Sequence, residues 1–113
     1  MINISQINDK IEKEKTNLIA DYKRFVECPS VSSQSEHKKD VLQTAQIAKE
    51  ILEAAGATVK IFETSGHPTV WGRIENDPNG PTVAIYNHID VQPAEKGKNG
   101  WSRDAFTFVE ENC

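Results

Sequence analysis

The sequence predicts an α/β fold in which two helices are followed by three to four strands of a sheet. Two segments in the first half repeat their apolar residues with the period of a helix, and after Gly56 the pattern becomes extended. Near the end, Val83 to Tyr86 form a continuous apolar run, which is typical of a strand covered on both faces. A chain of 113 residues can bury one hydrophobic core, so we expect a single domain at most.

The first helix is predicted from Ser5 to about Glu27. Its apolar residues recur at spacings of three, four and seven and form one stripe: Ile4, Ile7, Ile11, Leu18, Tyr22 and Phe25. Pro29 disfavours helical geometry in the residue before it, so the helix is expected to end near Cys28.

The second helix follows a polar loop, SVSSQSE, in which Ser33 or Ser35 is expected to cap its N-terminus. Gly56 supplies the left-handed residue that ends it. The predicted buried face consists of Val41, Leu42, Ala45, Ala48, Ile51, Leu52 and Ala55.

Three predicted strands come next: ATVKIFE, TVWGRIE and PTVAIYNH, separated by the turn sequences SGHP and NDPNGP. The third is expected to be a central strand because its apolar run does not alternate. After a loop rich in glycine and lysine, WSRDAFTFVEE predicts a further strand.

Composition argues against several classes of partner. The net charge is −4, without the basic excess that nucleic acids or anionic membranes attract, so we expect neither as a partner. The N-terminus mixes acidic and basic residues and does not resemble a signal peptide. Cys28 and Cys113 are isolated thiols, which fits a reducing compartment, and the expected location is the cytoplasm.

The candidate site lies at the end of the third predicted strand, where His88 and Asp90 are separated by one residue. In open α/β sheets, ligands bind beyond the carboxyl ends of the central strands. A neutral imidazole is a good zinc ligand, and such a histidine usually donates a hydrogen bond from its other ring N–H to a carboxylate. Residues i and i+2 of an extended segment project to the same side, so this pair can supply both groups. A solvated strand end is the alternative, because the tripeptide also occurs by chance.

The longer segment IYNHIDVQPAEKGKNGWSRDAFTF resembles the first metal-binding motif of metallopeptidase family M twenty, which includes dipeptidases, glutamate carboxypeptidase, aminoacylase and succinyl-diaminopimelate desuccinylase. The family pattern is an apolar strand, G-H-x-D-V-x-P, a variable loop and W-x-x-x-P-F. His88, Asp90 and the residues that follow them match it: Val91, Pro93, Trp101 and Phe106. Asn87 replaces the usual glycine and Ala105 the usual proline, which puts the local backbone in doubt but removes no ligand. The segments FVECPSVS and AAG also resemble the family's N-terminal region.

This resemblance implies that His88 binds one ion of a two-zinc site and that Asp90 contributes to catalysis by orienting the His88 imidazole. Cobalt or manganese could substitute for zinc. The family hydrolyses amide bonds, in which the metal polarises the scissile carbonyl and activates a water molecule. The expected substrate is a small peptide or an N-acyl amino acid, with a dipeptide favoured by the D-V-Q-P sequence.

The resemblance also implies that residues 1–113 are the N-terminal portion of a larger catalytic domain with a larger mixed sheet. The family's later metal ligands, its general-base glutamate and its lid domain, through which homodimers form, have no counterpart in the sequence. We therefore expect this chain alone to be inactive, because protein zinc sites use three or four ligands. The alternatives are a truncated, non-catalytic binding module, or aminoacylase or desuccinylase chemistry in a longer protein.

The other candidates are expected to be structural or solvated. His37 lies among charged residues and is expected on the surface, and His67 precedes a proline in a turn. Glu110 and Glu111 imitate a catalytic pair but form a terminal charge run. Cys28 is expected to be a small buried residue.

Overall fold

The computed structural model describes residues 3–98 and 100–111 and confirms the predicted fold class. Helix α1 spans Ile4–Val26, a 3-10 turn spans Ser35–His37, and helix α2 spans Lys38–Ala54. Two strands follow, β1 at Thr58–Phe62 and β2 at Thr69–Arg73. Cys113, one of the two thiols considered above, lies outside the described residues.

Helix α1 forms where it was predicted, but its apolar stripe is not covered. The side chain of Asn3 caps the first turn by accepting hydrogen bonds from the backbone N–H of Ser5 and Gln6, at 3.1 and 3.4 Å. None of the described residues of the helix is buried, and Ile4 remains 71% exposed. Packing is confined to the C-terminal turns, where Tyr22 meets Phe108 edge to face at a centroid distance of 6.4 Å.

Helix α2 supplies most of the core, through a face rotated slightly from the predicted one. Val41, Ala45 and Ala48 are buried as expected, and Ile51 and Leu52 are half-buried. The predicted burial of Leu42, which is 49% exposed, and of Ala55 is wrong. Thr44 and Ile47 are buried instead, because they lie on the same side of the helix as Val41 and Ala48.

The two ends of α2 differ in how well the sequence predicted them. The prediction that Ser33 or Ser35 caps the N-terminus is wrong, since no side chain caps the helix and the 3-10 turn leads directly into it. In that turn the backbone N–H of His37 bonds to the carbonyl of Gln34 at 3.1 Å. At the other end Gly56 adopts a φ of +90°, as the left-handed stop required.

Strands β1 and β2 form an antiparallel pair with Val59 opposite Gly72. Helix α2 packs on this pair, and Leu52 comes so close to Gly72 that a β-carbon there would lie 3.2 Å from Leu52 Cδ1. No residue of either strand is buried, so the buried residues of the described chain lie in α2 and in the turn at residues 28–31.

The third predicted strand, residues 81–88, is not hydrogen-bonded to a neighbouring strand within the described residues. The expectation that it is covered on both faces is wrong here, since Val83, Ile85 and Tyr86 are 81%, 83% and 91% exposed. The physical reason is that no described segment lies beside it to complete a ladder. Residues 101–111 likewise form turns and bends rather than the predicted strand.

The third predicted strand joins the rest of the fold just beyond His88. Val91 forms an isolated parallel bridge with Val31, and its backbone N–H donates to the carbonyl of Ser30 at 3.1 Å. This bridge connects the end of the third predicted strand to the turn that follows α1. Within residues 3–98 and 100–111, no helix combines the length and apolar character needed to cross a bilayer.

Candidate metal centre

The turn after α1 forms the base on which the H-x-D motif rests. Ser30 and Val31 are each only 1% exposed. The Ser30 hydroxyl donates to the carbonyl of Ile89 at 3.1 Å, and the carbonyl of Ser30 accepts from the backbone of Val91. The backbone on both sides of Asp90 is therefore anchored to a buried turn that lies about sixty positions earlier in the sequence.

His88 projects from this base with one ring nitrogen engaged. Its Nδ1 lies 3.1 Å from Asp90 Oδ1 and 3.1 Å from the backbone carbonyl oxygen of Asp90. Both oxygens can only accept at neutral pH, so this geometry favours the tautomer that carries its proton on Nδ1. The lone pair then lies on Nε2. The side chain is 78% exposed, so Nε2 is open to a ligand.

Asp90 uses both of its carboxylate oxygens. Oδ1 faces the His88 ring, and Oδ2 accepts a hydrogen bond from the Ser32 hydroxyl at 2.6 Å. The bond from Ser32, assisted by the one from His88, holds the pKa of Asp90 below its usual value despite some desolvation. The carboxylate is thus maintained in the charged form that an orienting partner for imidazole requires.

The remaining histidines have structural contacts. His67 Nε2 lies 3.0 Å from the carbonyl oxygen of Ser32, so the ring supports the turn that supports Asp90. His37, expected on the surface, is half-buried there: its Nδ1 lies 2.7 Å from Asp40 Oδ2 and its side chain is 27% exposed. The two residues face each other because they are three positions apart across the start of α2.

Two further expectations concern non-ligand residues. Cys28 is buried, as expected, and accepts a hydrogen bond from Thr44. Glu110 and Glu111 are both exposed, and Glu111 forms an ion pair with Arg103.

Sequence reasoning found His88 and Asp90 but missed Ser32. The P-S-V-S turn resembles a family segment, but this similarity does not predict a contact between Ser32 and Asp90. Ser32 and Asp90 are 58 positions apart, and no periodicity connects them. The parallel bridge between Val31 and Val91 and the hydrogen bonds of Ser30 bring the two side chains together.

The donor set fits one part of a metal centre. A neutral imidazole with a free Nε2 and a carboxylate on Nδ1 is the arrangement commonly found around protein-bound zinc. Within the described residues, however, no group of three or more histidine, cysteine, aspartate or glutamate side chains could hold an ion. The described chain thus provides one candidate ligand and its partner.

Comparison with known proteins gives consistent relatives. The chain is 31% identical over 121 residues to a Cys-Gly metallodipeptidase of Schizosaccharomyces pombe, an alignment covering 98% of this chain. It is 28% identical over 96 residues to the Beta-Ala-His dipeptidase of Rattus norvegicus, with 75% of this chain covered. A solved structure of the di-peptidase Dug1p from Saccharomyces cerevisiae superposes with a TM-score of 0.84 at 26% identity over 95% of this chain. No protein-family model matches the sequence.

These alignments cover only part of each relative. The chain spans 25% of the length of the S. pombe protein, 19% of the rat protein and 25% of the solved structure. The chain therefore spans about a quarter or less of the length of these relatives.

Proposed function

Because the chain belongs to metallopeptidase family M twenty, we propose that it forms the part of a dipeptidase catalytic domain that supplies the first metal ligand. In this proposal His88 is the ligand, through Nε2, and Asp90 is the residue that orients it. The expected substrate class is a dipeptide, as the names of the relatives suggest.

One observation supports the proposal above the others. Both oxygens of Asp90 are engaged, one by His88 and one by Ser32, while Nε2 of His88 is left open. A solvated strand end would not need a carboxylate fixed from two sides. The arrangement instead fits an imidazole that is held ready for a ligand on its free nitrogen.

Bound zinc would supply a Lewis acid that polarises the scissile carbonyl and activates water. The residues of this chain act on the position and the proton of the imidazole. Asp90 accepts a hydrogen bond from Nδ1–H, which keeps the proton on Nδ1 and strengthens donation from Nε2. The buried Ser30–Val31 turn holds the backbone on either side of Asp90, so the ring direction is set before any ligand binds.

We further propose that this chain does not hydrolyse dipeptides by itself. One imidazole is insufficient for a protein zinc site, and the described residues contain no other cluster of ligands. The reducing compartment inferred from its isolated cysteines makes the cytoplasm the proposed location.

A chimeric enzyme tests the proposed role. In the S. pombe relative, the segment that aligns with this chain is replaced by residues 1–113, and hydrolysis of Cys-Gly is measured. We expect the chimera to be active, and His88→Ala in the chimera to lose both activity and one equivalent of bound metal. Ser33→Ala, at an exposed serine outside the site, is the matched control and should retain both.

Metal content separates the two ways in which this experiment can fail. A folded His88→Ala chimera with undiminished activity and metal would contradict the ligand role. A folded chimera that binds its full complement of metal but does not hydrolyse Cys-Gly would contradict the dipeptidase assignment and leave the ligand role standing.

A further inference from the structure

We infer that Ser32 is a positioning residue for the metal centre, because its hydroxyl fixes the Asp90 carboxylate in the orientation that presents Oδ1 to His88. The inference rests on the proposed function of His88 and Asp90 and extends it by one residue. Ser32 lies in a different segment from the motif and donates across the fold to Oδ2 at 2.6 Å.

Asp90 requires such a restraint because its side chain is 43% exposed. An exposed aspartate exchanges between χ1 rotamers and has a broad χ2 unless a partner holds it. His88 cannot serve as that partner alone, since its own ring is 78% exposed and is held at Nδ1 only by the carboxylate and the backbone carbonyl of Asp90. A hydrogen bond from a third group to the other oxygen removes this mutual dependence.

The position of Ser32 is set independently of Asp90. Its neighbour Val31 is 1% exposed and pairs with Val91. The carbonyl oxygen of Ser32 itself lies 3.0 Å from Nε2 of His67. Since a carbonyl oxygen can only accept, the His67 ring donates to it. The backbone of Ser32 is therefore held from two sides, and its hydroxyl is a fixed donor aimed at the carboxylate.

The two segments do not depend on the Ser32 hydroxyl to be joined. The two segments are already joined by Ser30, which donates to the carbonyl of Ile89 and accepts from the backbone N–H of Val91. The Ser32 hydroxyl makes no bond to the backbone of that segment, and any stability it contributes comes through the Asp90 carboxylate. It contacts the one side-chain group in the segment that faces His88, which is what a positioning residue does.

The tautomer of His88 provides a direct test in the chain as it stands. Imidazole nitrogen shifts are measured by ¹⁵N NMR at a pH where the ring is neutral, and we expect the Nδ1-protonated tautomer to predominate in the unmodified chain. Ser32→Ala should lose this preference and give a tautomer mixture, Ser32→Thr should restore it by returning the hydroxyl, and Ser33→Ala should leave it unchanged. A Ser32→Ala chain that keeps the preference would overturn the inference.

Asp90→Ala separates this inference from the proposed function. If Asp90→Ala loses the preference while Ser32→Ala keeps it, Asp90 orients His88 without help from Ser32 and only the inference fails. If the unmodified chain shows no preference, the orienting role of Asp90 fails as well. Three-bond couplings in the unmodified chain keep the test decisive even if Ser32→Ala does not fold, because Ser32 and Asp90 should each occupy one χ1 rotamer. Rotamer averaging at either residue would overturn the inference.

Discussion

Val31→Ala should be among the more damaging single substitutions in this chain, although valine and alanine are both apolar. Val31 is 1% exposed and pairs with Val91 at the base of the site. Removing two buried methyl groups forfeits about 1.6 kcal/mol of transfer free energy, and the cavity left behind adds on the order of 1 kcal/mol. We therefore expect the free energy of unfolding to fall by about 2–3 kcal/mol, a large share of a small domain's stability.

Val83→Ala is the matched control, since it makes the same chemical change at a residue that is 81% exposed. Its effect should stay within about 0.5 kcal/mol. Both variants are compared by urea unfolding followed by far-UV circular dichroism, at two protein concentrations. Equal losses at the two positions, independent of concentration, would refute the conclusion that Val31 is core and residues 82–87 are uncovered.

Three further predictions concern the site and the exposed segment. Asp90→Ala in the chimera should lower metal affinity or turnover by roughly 10- to 100-fold, as changes to a ligand's partner typically do, and unchanged values in metal-binding and kinetic assays would contradict its orienting role. Because the folded-state pKa of Asp90 is lowered, its contribution to stability should be present above the unfolded-state pKa and lost as the pH falls through the folded-state pKa. The loss of stability in acid should therefore be less steep in Ser32→Ala than in the unmodified chain. Identical urea midpoints for the two chains across that pH range would contradict this. Ile85→Lys should reduce aggregation measured by light scattering, since Ile85 is 83% exposed in an unpaired apolar segment. Thr82→Lys is the control, because it adds the same charge without removing apolar surface and should reduce aggregation less.

Local patterns were sufficient to predict the elements whose stability is local. The first helix and its end before Pro29, the stop at Gly56 and the two strands of the hairpin all depend on periodicity and on backbone restrictions within a few residues. Whether the third predicted strand is covered could not be predicted in the same way. A continuous apolar run indicates that Val83 and Ile85 need cover, but it cannot indicate whether the described chain supplies that cover.

In the candidate site, too, the local contacts could be predicted and the distant ones could not. His88 and Asp90 are two residues apart, so their contact follows from the geometry of an extended chain. Ser32 and His67 reach the site only through the tertiary fold, by contacts with Asp90 and with the Ser32 backbone that span 58 and 35 positions. The position of Ser32 depends on a parallel bridge, and neither composition nor spacing encodes that bridge.

The most direct test of the central claim is a zinc titration of the chain followed by the histidine side-chain resonances. Zn²⁺ should shift Nε2 of His88 ahead of Nε2 of His37, because the two rings have the same carboxylate contact at Nδ1 but the His88 side chain is 78% exposed and that of His37 only 27%. The binding should be weak and reversible, and dialysis should remove the zinc because one imidazole holds it poorly. Stoichiometric zinc that survives dialysis would contradict the account of a partial site. A titration in which His88 does not respond would contradict its role as the ligand.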